Sequence, residues 1–239
     1  MELRTFKIQN FRSITDSGEV ELAHVTALLG RNESGKSNLL FALRTLNPAE
    51  RFKALNPTKD FPRHRRLTEC NDETEVVSSS WRLTPDEQKE LAEILPRAAS
   101  VTHVRIGRRY GAIRWAAFQD LPPLEFDKAS IQNKLAQIDA SVKVASEGLD
   151  DAHKTALEQA VKAFADGTVV KGPKEEWAGR TSTALGALRQ AIARSNATLP
   201  ENQGKDIVDL EHLCLTISGD TDAQQKARDW AVTKLPVFI

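Results

Sequence analysis

Two cysteines in 239 residues, Cys70 and Cys214, are too few for a disulfide framework and lack the spacing of a metal site. That scarcity fits a reducing compartment. Net charge is missing as well: Lys+Arg and Asp+Glu stand at 33 each, so overall charge makes no case for nucleic acid or a membrane surface. No apolar run approaches the roughly 18 residues of a membrane-spanning helix. Met1 to Asn10 has no signal-peptide core. The chain therefore reads as soluble and cytoplasmic. His24, His64, His103, His153 and His212 show no metal spacing, and no Ser-His-Asp arrangement can be argued. The length allows one substantial core, or one core with a smaller helical domain.

One stretch does carry chemistry. Gly30-Arg31-Asn32-Glu33-Ser34-Gly35-Lys36-Ser37 matches G-x-x-x-x-G-K-[ST], the phosphate-cradling P-loop, without a mismatch. Val25-Thr26-Ala27-Leu28-Leu29 before it has the apolar run of a short buried strand. Asn38 to Leu46 after it is apolar and rich in helix formers. In such a loop Gly30 and Gly35 let the backbone approach phosphate without a Cβ clash. Successive N–H groups and the positive end of the helix dipole then point at the anion. Lys36 would set its ammonium against the β- and γ-phosphates, and the Ser37 hydroxyl would ligate Mg²⁺. The cofactors expected are ATP and Mg²⁺.

Leu3 to Phe11 reads as a strand with Phe6 and Ile8 on one face, and Glu19 to Leu22 as a second, half-exposed strand after the Gly18 turn. Asn47-Pro48 ends the P-loop helix. From Arg51 to Arg66 the chain is irregular and basic, with Arg51, Lys53, Lys59, Arg63, Arg65 and Arg66 against Asp60 alone. This segment either touches DNA phosphates or is a solvated loop whose cations pair with carboxylates such as Glu50 and Glu69. Glu73 to Leu83 alternates as a strand through Val77, Ser79, Trp81 and Leu83. Thr84-Pro85-Asp86-Glu87 is a helix start: Thr84 caps, Pro85 takes the first helical position, and Glu87 completes a capping box. That helix runs to about Leu95. Val101 to Ile106 and Ala112 to Phe118 flank Gly107-Arg108-Arg109-Tyr110-Gly111 as a hairpin, whose Arg105, Arg108, Arg109 and Arg114 read as the charged outer face of a two-layer sheet, with a nucleic-acid role as the alternative.

After Leu121-Pro122-Pro123-Leu124 the pattern turns helical. Ile131, Leu135, Ile138, Val142, Ala145 and Leu149 form a seam, Leu157, Val161 and Phe164 continue it to Asp166-Gly167, and Lys174 to Arg194 gives a third helix. A bundle burying its own stripes and an extended arm for partners or dimerisation both remain open. Ile217-Ser218-Gly219-Asp220 before a helical Ala223 to Lys234 reads as a helix cap by Ser218 or Asp220. A nucleotide-contacting signature is the weaker alternative, because Asp220 would face a phosphate. No aliphatic run closes in Asp-Glu, the carboxylates a hydrolysing P-loop enzyme needs; Ile207-Val208-Asp209-Leu210-Glu211 is nearest and too short. Leu235-Pro236-Val237-Phe238-Ile239 resembles the opening of a buried strand, so the chain is expected to be the N-terminal portion of a longer ATPase. Such a piece would bind ATP with little hydrolysis.

A strand ending in Ile8-Gln9-Asn10-Phe11-Arg12-Ser13, followed by the P-loop GRNESGKSN, resembles the ABC-type ATPases of the structural-maintenance-of-chromosomes and RecF group. Within it the likeness is greatest to the overcoming-lysogenization-defect (OLD) family, in which the ATPase is commonly fused to a Toprim nuclease. It covers Met1 to about Leu46 and continues weakly through residues 47–48 and 60–63. The resemblance implies that Arg12 lies near the nucleotide and that Asn32, with Asn38, belongs to the phosphate pocket; a solvated turn residue is the other reading of Arg12. It also implies a nucleotide-linked dimer that acts with DNA, in anti-phage defence or DNA processing.

The expected fold is α/β: a P-loop NTPase core of ABC-ATPase type with an antiparallel β layer over residues 1–124, an α-helical insertion over 125–235, and the start of a strand at 236–239. The site residues are Arg12, Gly30, Asn32, Glu33, Ser34, Gly35, Lys36, Ser37 and Asn38, with Ser37 on the metal. Two rival functions stay in view: an ATP-switched module docking a second protein on its helical region, and a self-contained P-loop phosphotransferase.

Overall fold

The computed structural model describes residues 1–30, 35–124, 126–146, 149–195 and 197–238. Asn32, Glu33 and Ser34 of the expected site lie outside the described residues. The chain forms two compact units, one of residues 1–122 with the chain from Gln224 onward, the other Pro123–Ala223.

The first unit is built on strands β1 (Glu2–Phe11), β2 (Ile14–Glu21), β3 (Glu75–Arg82), β4 (His103–Arg109) and β5 (Arg114–Phe118). They make one antiparallel sheet in the order β2-β1-β3-β4-β5. Side chains alternate between its faces. The register puts Phe6 beside Ser79, Ile8 beside Val77 and Leu3 beside Trp81. The same face continues through Ile106, Val104 and Arg108 to Ala116 and Arg114. Phe6, Ile8, Val77, Trp81, Val104 and Ile106 are buried there. On the opposite face Lys7, Ser78, Ser80, Arg105 and Trp115 follow one another, and Arg105 donates to the Ser78 hydroxyl at 2.9 Å.

Helix α1 (Lys36–Arg44) packs against β1, β2 and β3 through buried Ala42 and Leu43. A short turn, α2 (Pro57–Asp60), is capped by Asn56, whose side chain accepts from the Thr58 N–H at 3.0 Å. Helix α3 (Pro85–Ile94) has the expected cap: the Thr84 side chain meets the Glu87 N–H, and Glu87 returns to the Thr84 N–H at 2.8 Å. The second unit holds α4 (Lys128–Ser146), α5 (Asp151–Gly167), α6 (Lys174–Ser195) and the first part of α7 (Glu201–Thr233). Its helical stripes meet in one core of Ile138, Phe164, Trp177, Leu188, Leu210 and Ile217 among others, a bundle burying its own apolar faces.

Three expectations are corrected. Val25 to Leu29 is not a strand, and Val25 and Leu29 are 84% and 90% exposed. A buried strand needs neighbours to complete its hydrogen-bond ladder, and among the described residues no strand lies beside this segment. Gly107, Arg108 and Arg109 are not the hairpin turn; they pair in β4, and the turn is residues 110–113. Ser218 and Asp220 neither cap a helix nor open a signature, because both lie inside α7. Ile207, Leu210, Cys214 and Ile217 are buried before them and Ala227 and Ala231 after them, so the helical rhythm runs straight through Gly219. Of the expected strand start at 236–239, the described residues show one parallel bridge, from Phe238 to Pro48, with the Phe238 N–H donating to the Asn47 carbonyl at 2.9 Å.

Candidate nucleotide site

The site begins where β1 ends. Asn10 and Arg12 both have φ of 53°, in the left-handed region that non-glycine residues seldom enter. Between them Phe11 is buried, so the chain turns twice around one anchored ring. Asn10 is held from several sides. Its side-chain amide donates to the Glu75 carbonyl at 3.0 Å, its Oδ1 accepts from Arg65, and its backbone carbonyl accepts from the Tyr110 hydroxyl at 2.7 Å. Burial pushes the Tyr110 phenol far above its usual range, with Cys70 and Asp60 adding to the effect, so it stays a neutral donor. Its ring stands edge-on to Phe61 at 5.8 Å. Local strain of this kind persists only where the surroundings over-determine it.

The second turn aims Arg12 at α1 and α2. Its N–H donates to the Asp60 carbonyl at 2.6 Å, and its guanidinium pairs with the Asp60 carboxylate at 3.4 Å. The same group lies 5.1 Å from the Phe11 ring centre and 5.3 Å from that of Phe41 on α1. Ser13, next in the chain, accepts from the Asn38 side-chain amide at 2.8 Å. Arg12, Ser13, Gly35 and Asn38 thus come together. Gly35 has φ of +89°, a conformation that favours glycine, and a Cβ there would also press on the Ser13 hydroxyl at 3.3 Å.

Helix α1 starts without a capping side chain and without an acidic residue in its first turn. Its N-terminal amides and dipole are therefore not answered by any carboxylate of its own. The Lys36 ammonium reaches back and donates to the Gly30 carbonyl at 2.5 Å. Ser37 is exposed. Beside this helix start a cavity of about 590 Å³ is lined by Arg12, Ser13, Lys59, Phe61, Arg63 and His64.

Sequence reasoning missed Ser13 and Asp60 as parts of the site. The signal for Asp60 was present in Asn56-Pro57-Thr58-Lys59, a capped turn start that fixes the residue following it. Of the basic stretch, Arg65 is structural: it pairs with Glu69 at 2.7 Å and packs over Phe61 at 5.1 Å. Arg65 holds the Glu69 carboxyl below its ordinary range, first through that side-chain bond. Glu50 pairs with Arg44 rather than with the stretch itself.

Arg108 and Arg114 were expected on an outer face and instead point into the core. Arg108 is 2% exposed and donates to the carbonyls of Thr45 and Lys53. Arg114 donates to the Leu46 carbonyl at 2.7 Å and to Asn47 at 3.0 Å. Their guanidinium groups lie 4.5 and 3.7 Å from the centre of the Phe52 ring. Desolvation, and then the charge of Arg114, bring Arg108 down to about 10. Together they tie the chain after α1 to the sheet.

Residues 1–171 match the model of a family described as AAA ATPase domain. No curated protein matches the sequence. Among solved structures, the recombination mediator protein RecF bound to ATP, from the RecFOR pathway, aligns at 15% identity over 93% of this chain and 69% of that one, with a TM-score of 0.26. A likeness of that size does not define a shared fold.

Proposed function

The chain belongs to the AAA ATPase domain family, and on that premise we propose that it binds Mg-ATP at the start of α1. The observation that carries this reading is the helix start: a P-loop sequence, a left-handed Gly35, among the described residues no capping side chain and no first-turn acid, and the Lys36 ammonium at the Gly30 carbonyl. A triphosphate is the anion that a P-loop sequence leading into a helix N-terminus is suited to bind. Lys36 would exchange the Gly30 carbonyl for phosphate oxygens, and Arg12, poised at the same helix, would follow its ion pair with Asp60 towards the nucleotide. The cavity bounded by Ser13, Phe61 and His64 has the volume for a sugar and base.

The donors fit Mg²⁺ in one respect. The exposed Ser37 hydroxyl stands in the first turn of α1, where a P-loop serine ligates the ion. Ser37 would be the residue that holds the ion, whose chemistry would be to offset phosphate charge. Among the described residues no cluster of three acidic, histidine or cysteine side chains supplies a ready-made metal site, so phosphate and water would complete the shell.

The finer reading is an ABC-type ATPase of the OLD kind, cytoplasmic, closing as a nucleotide-linked dimer and acting with DNA. It rests on Asn10-Phe11-Arg12-Ser13 and on residues 30–38. Turnover by this chain should be slight, since its sequence offers no aliphatic run ending in the water-orienting carboxylates. Among the described residues no helix is long and apolar enough to cross a membrane.

Calorimetric titration with Mg-ATP tests the reading. The parent chain binds, and Lys36→Ala binds too weakly to measure. Unchanged affinity in the variant would refute the P-loop assignment.

A further inference from the structure

A second cavity, of about 490 Å³, lies farther along α1, walled by Phe41, Arg44 and Thr45 and by the chain from Pro48 to Asp60. Arg44 is eight residues beyond Lys36, about 12 Å along the helix axis. The Arg44 end of the cavity therefore lies away from the helix start, while Arg12 and Lys59 line this cavity and the one beside the helix start alike. Its charges do not balance. Arg12 is answered by Asp60 and Arg44 by Glu50, each at 3.4 Å. Arg51, Lys53, Lys59 and Arg108 also line it, and among the described residues none of these four has a carboxylate partner. Arg108 is the most telling. It is 2% exposed, its two terminal nitrogens bond only to neutral carbonyls, and its Nε has no partner. Only the field of Asp60, smaller than the opposing effects of burial and Arg114, and the Phe52 ring at 4.5 Å offset this buried cation, so an added anion would favour it. One wall is aromatic: Phe41 is 46% exposed, with the Arg12 guanidinium beside its ring.

We propose that this cavity binds a phosphate-bearing nucleotide, either the terminal residue of a nucleic-acid strand or a free mononucleotide. Arg51, Lys53 and Lys59 meet the phosphate, Arg108 supplies the buried positive field, and Phe41 offers a stacking face for the base. Exposed lysines and arginines give the reach that a phosphate needs, while one aromatic face is tolerant of base identity. Arg51, Lys53, Phe41 and Arg108 lie outside the cavity given to ATP, whereas Arg12 and Lys59 line both, so the two sites are neighbours.

The test uses the full chain carrying Lys36→Ala, which removes the ATP site from the readout. Fluorescence anisotropy follows a labelled ten-residue oligothymidylate bearing a 5′-phosphate, the same strand with a 5′-hydroxyl, and AMP as competitor. Binding should survive Lys36→Ala, fall at least tenfold on adding Arg51→Glu with Lys53→Glu, and lose about 1.4 from its logarithmic salt slope, for two single-strand contacts. A strand with 5′-phosphate that binds at least tenfold tighter than the 5′-hydroxyl strand identifies the strand end. AMP competing with equal affinity identifies the free nucleotide. Should charge reversal lower the melting temperature, the Arg51→Gln, Lys53→Gln pair decides, and it should still weaken binding severalfold. The proposal is overturned if affinities stay within twofold in these variants, if no probe binds at millimolar concentration, or if Lys36→Ala alone abolishes binding.

Discussion

Arg108 and Gly107 are neighbours in β4 with opposite duties. Arg108 turns to the core face and ties the carbonyls after α1, while Gly107 lies on the other face under the Trp115 ring. A Cβ on Gly107 would fall 2.3 Å from that ring, closer than any real contact. Gly107→Ala should therefore destabilise the chain by about 1–3 kcal/mol, the usual cost of overpacking. Urea unfolding followed by tryptophan fluorescence measures this, and a loss below about 0.5 kcal/mol would contradict the close packing. The direction of Arg108 was readable in principle. Val104 and Ile106 set the buried phase of the strand, and two more residues carry that phase to 108. Charge alone argued for solvent because buried arginines are rare. Which carbonyls would receive the guanidinium was not readable, since Thr45 and Lys53 are distant in sequence. Asn10 and Arg12 show the same limit. Their identities suggested the site, but their left-handed backbone depends on Arg65, Glu75 and Tyr110 around Asn10 and on Asp60 at Arg12.

Elements whose causes are local were legible, and those needing distant partners were not. The α3 cap is contained within Thr84 to Glu87 and formed as expected. Thr84→Ala should lower stability by about 1 kcal/mol, read from the same urea midpoint at unchanged slope. Val25 to Leu29 has strand composition but no ladder neighbour among the described residues, and propensity without pairing does not make a strand. Helix α7 misled in the opposite sense, because Gly219 and two flanking polar residues imitate a helix boundary. The position is exposed, its φ lies outside the left-handed region, and an added Cβ would meet nothing within 4 Å. In an uninterrupted helix Gly219→Ala then stabilises by about 0.5–1 kcal/mol. A destabilisation instead would show that the glycine serves a turn, and would revive the boundary reading.

At the scale of the whole chain, each compact unit carries one cysteine. Cys70 is half-buried in the sheet unit, and Cys214 is 1% exposed within the core of the helical unit. Burial, with a smaller push from Glu211, raises the Cys214 thiol to about 11. At pH near 8 its thiolate is therefore scarce as well as shielded, and thiolate is the reactive form. That makes Cys214 a reporter of the helical unit. In a Cys70→Ser chain, Ellman's reagent at about pH 8 should find no rapidly reacting thiol under native conditions. One equivalent should appear when denaturant opens the bundle, in step with the loss of helical circular dichroism. The raised pKa protects only while Cys214 is buried: unfolding returns the thiol to about 8.5, so exposure and thiolate fraction rise together and sharpen the transition. Rapid native labelling would mean that Leu210, Cys214 and Ile217 do not form a closed core, and would favour a helical region opened for a partner over a bundle packed upon itself.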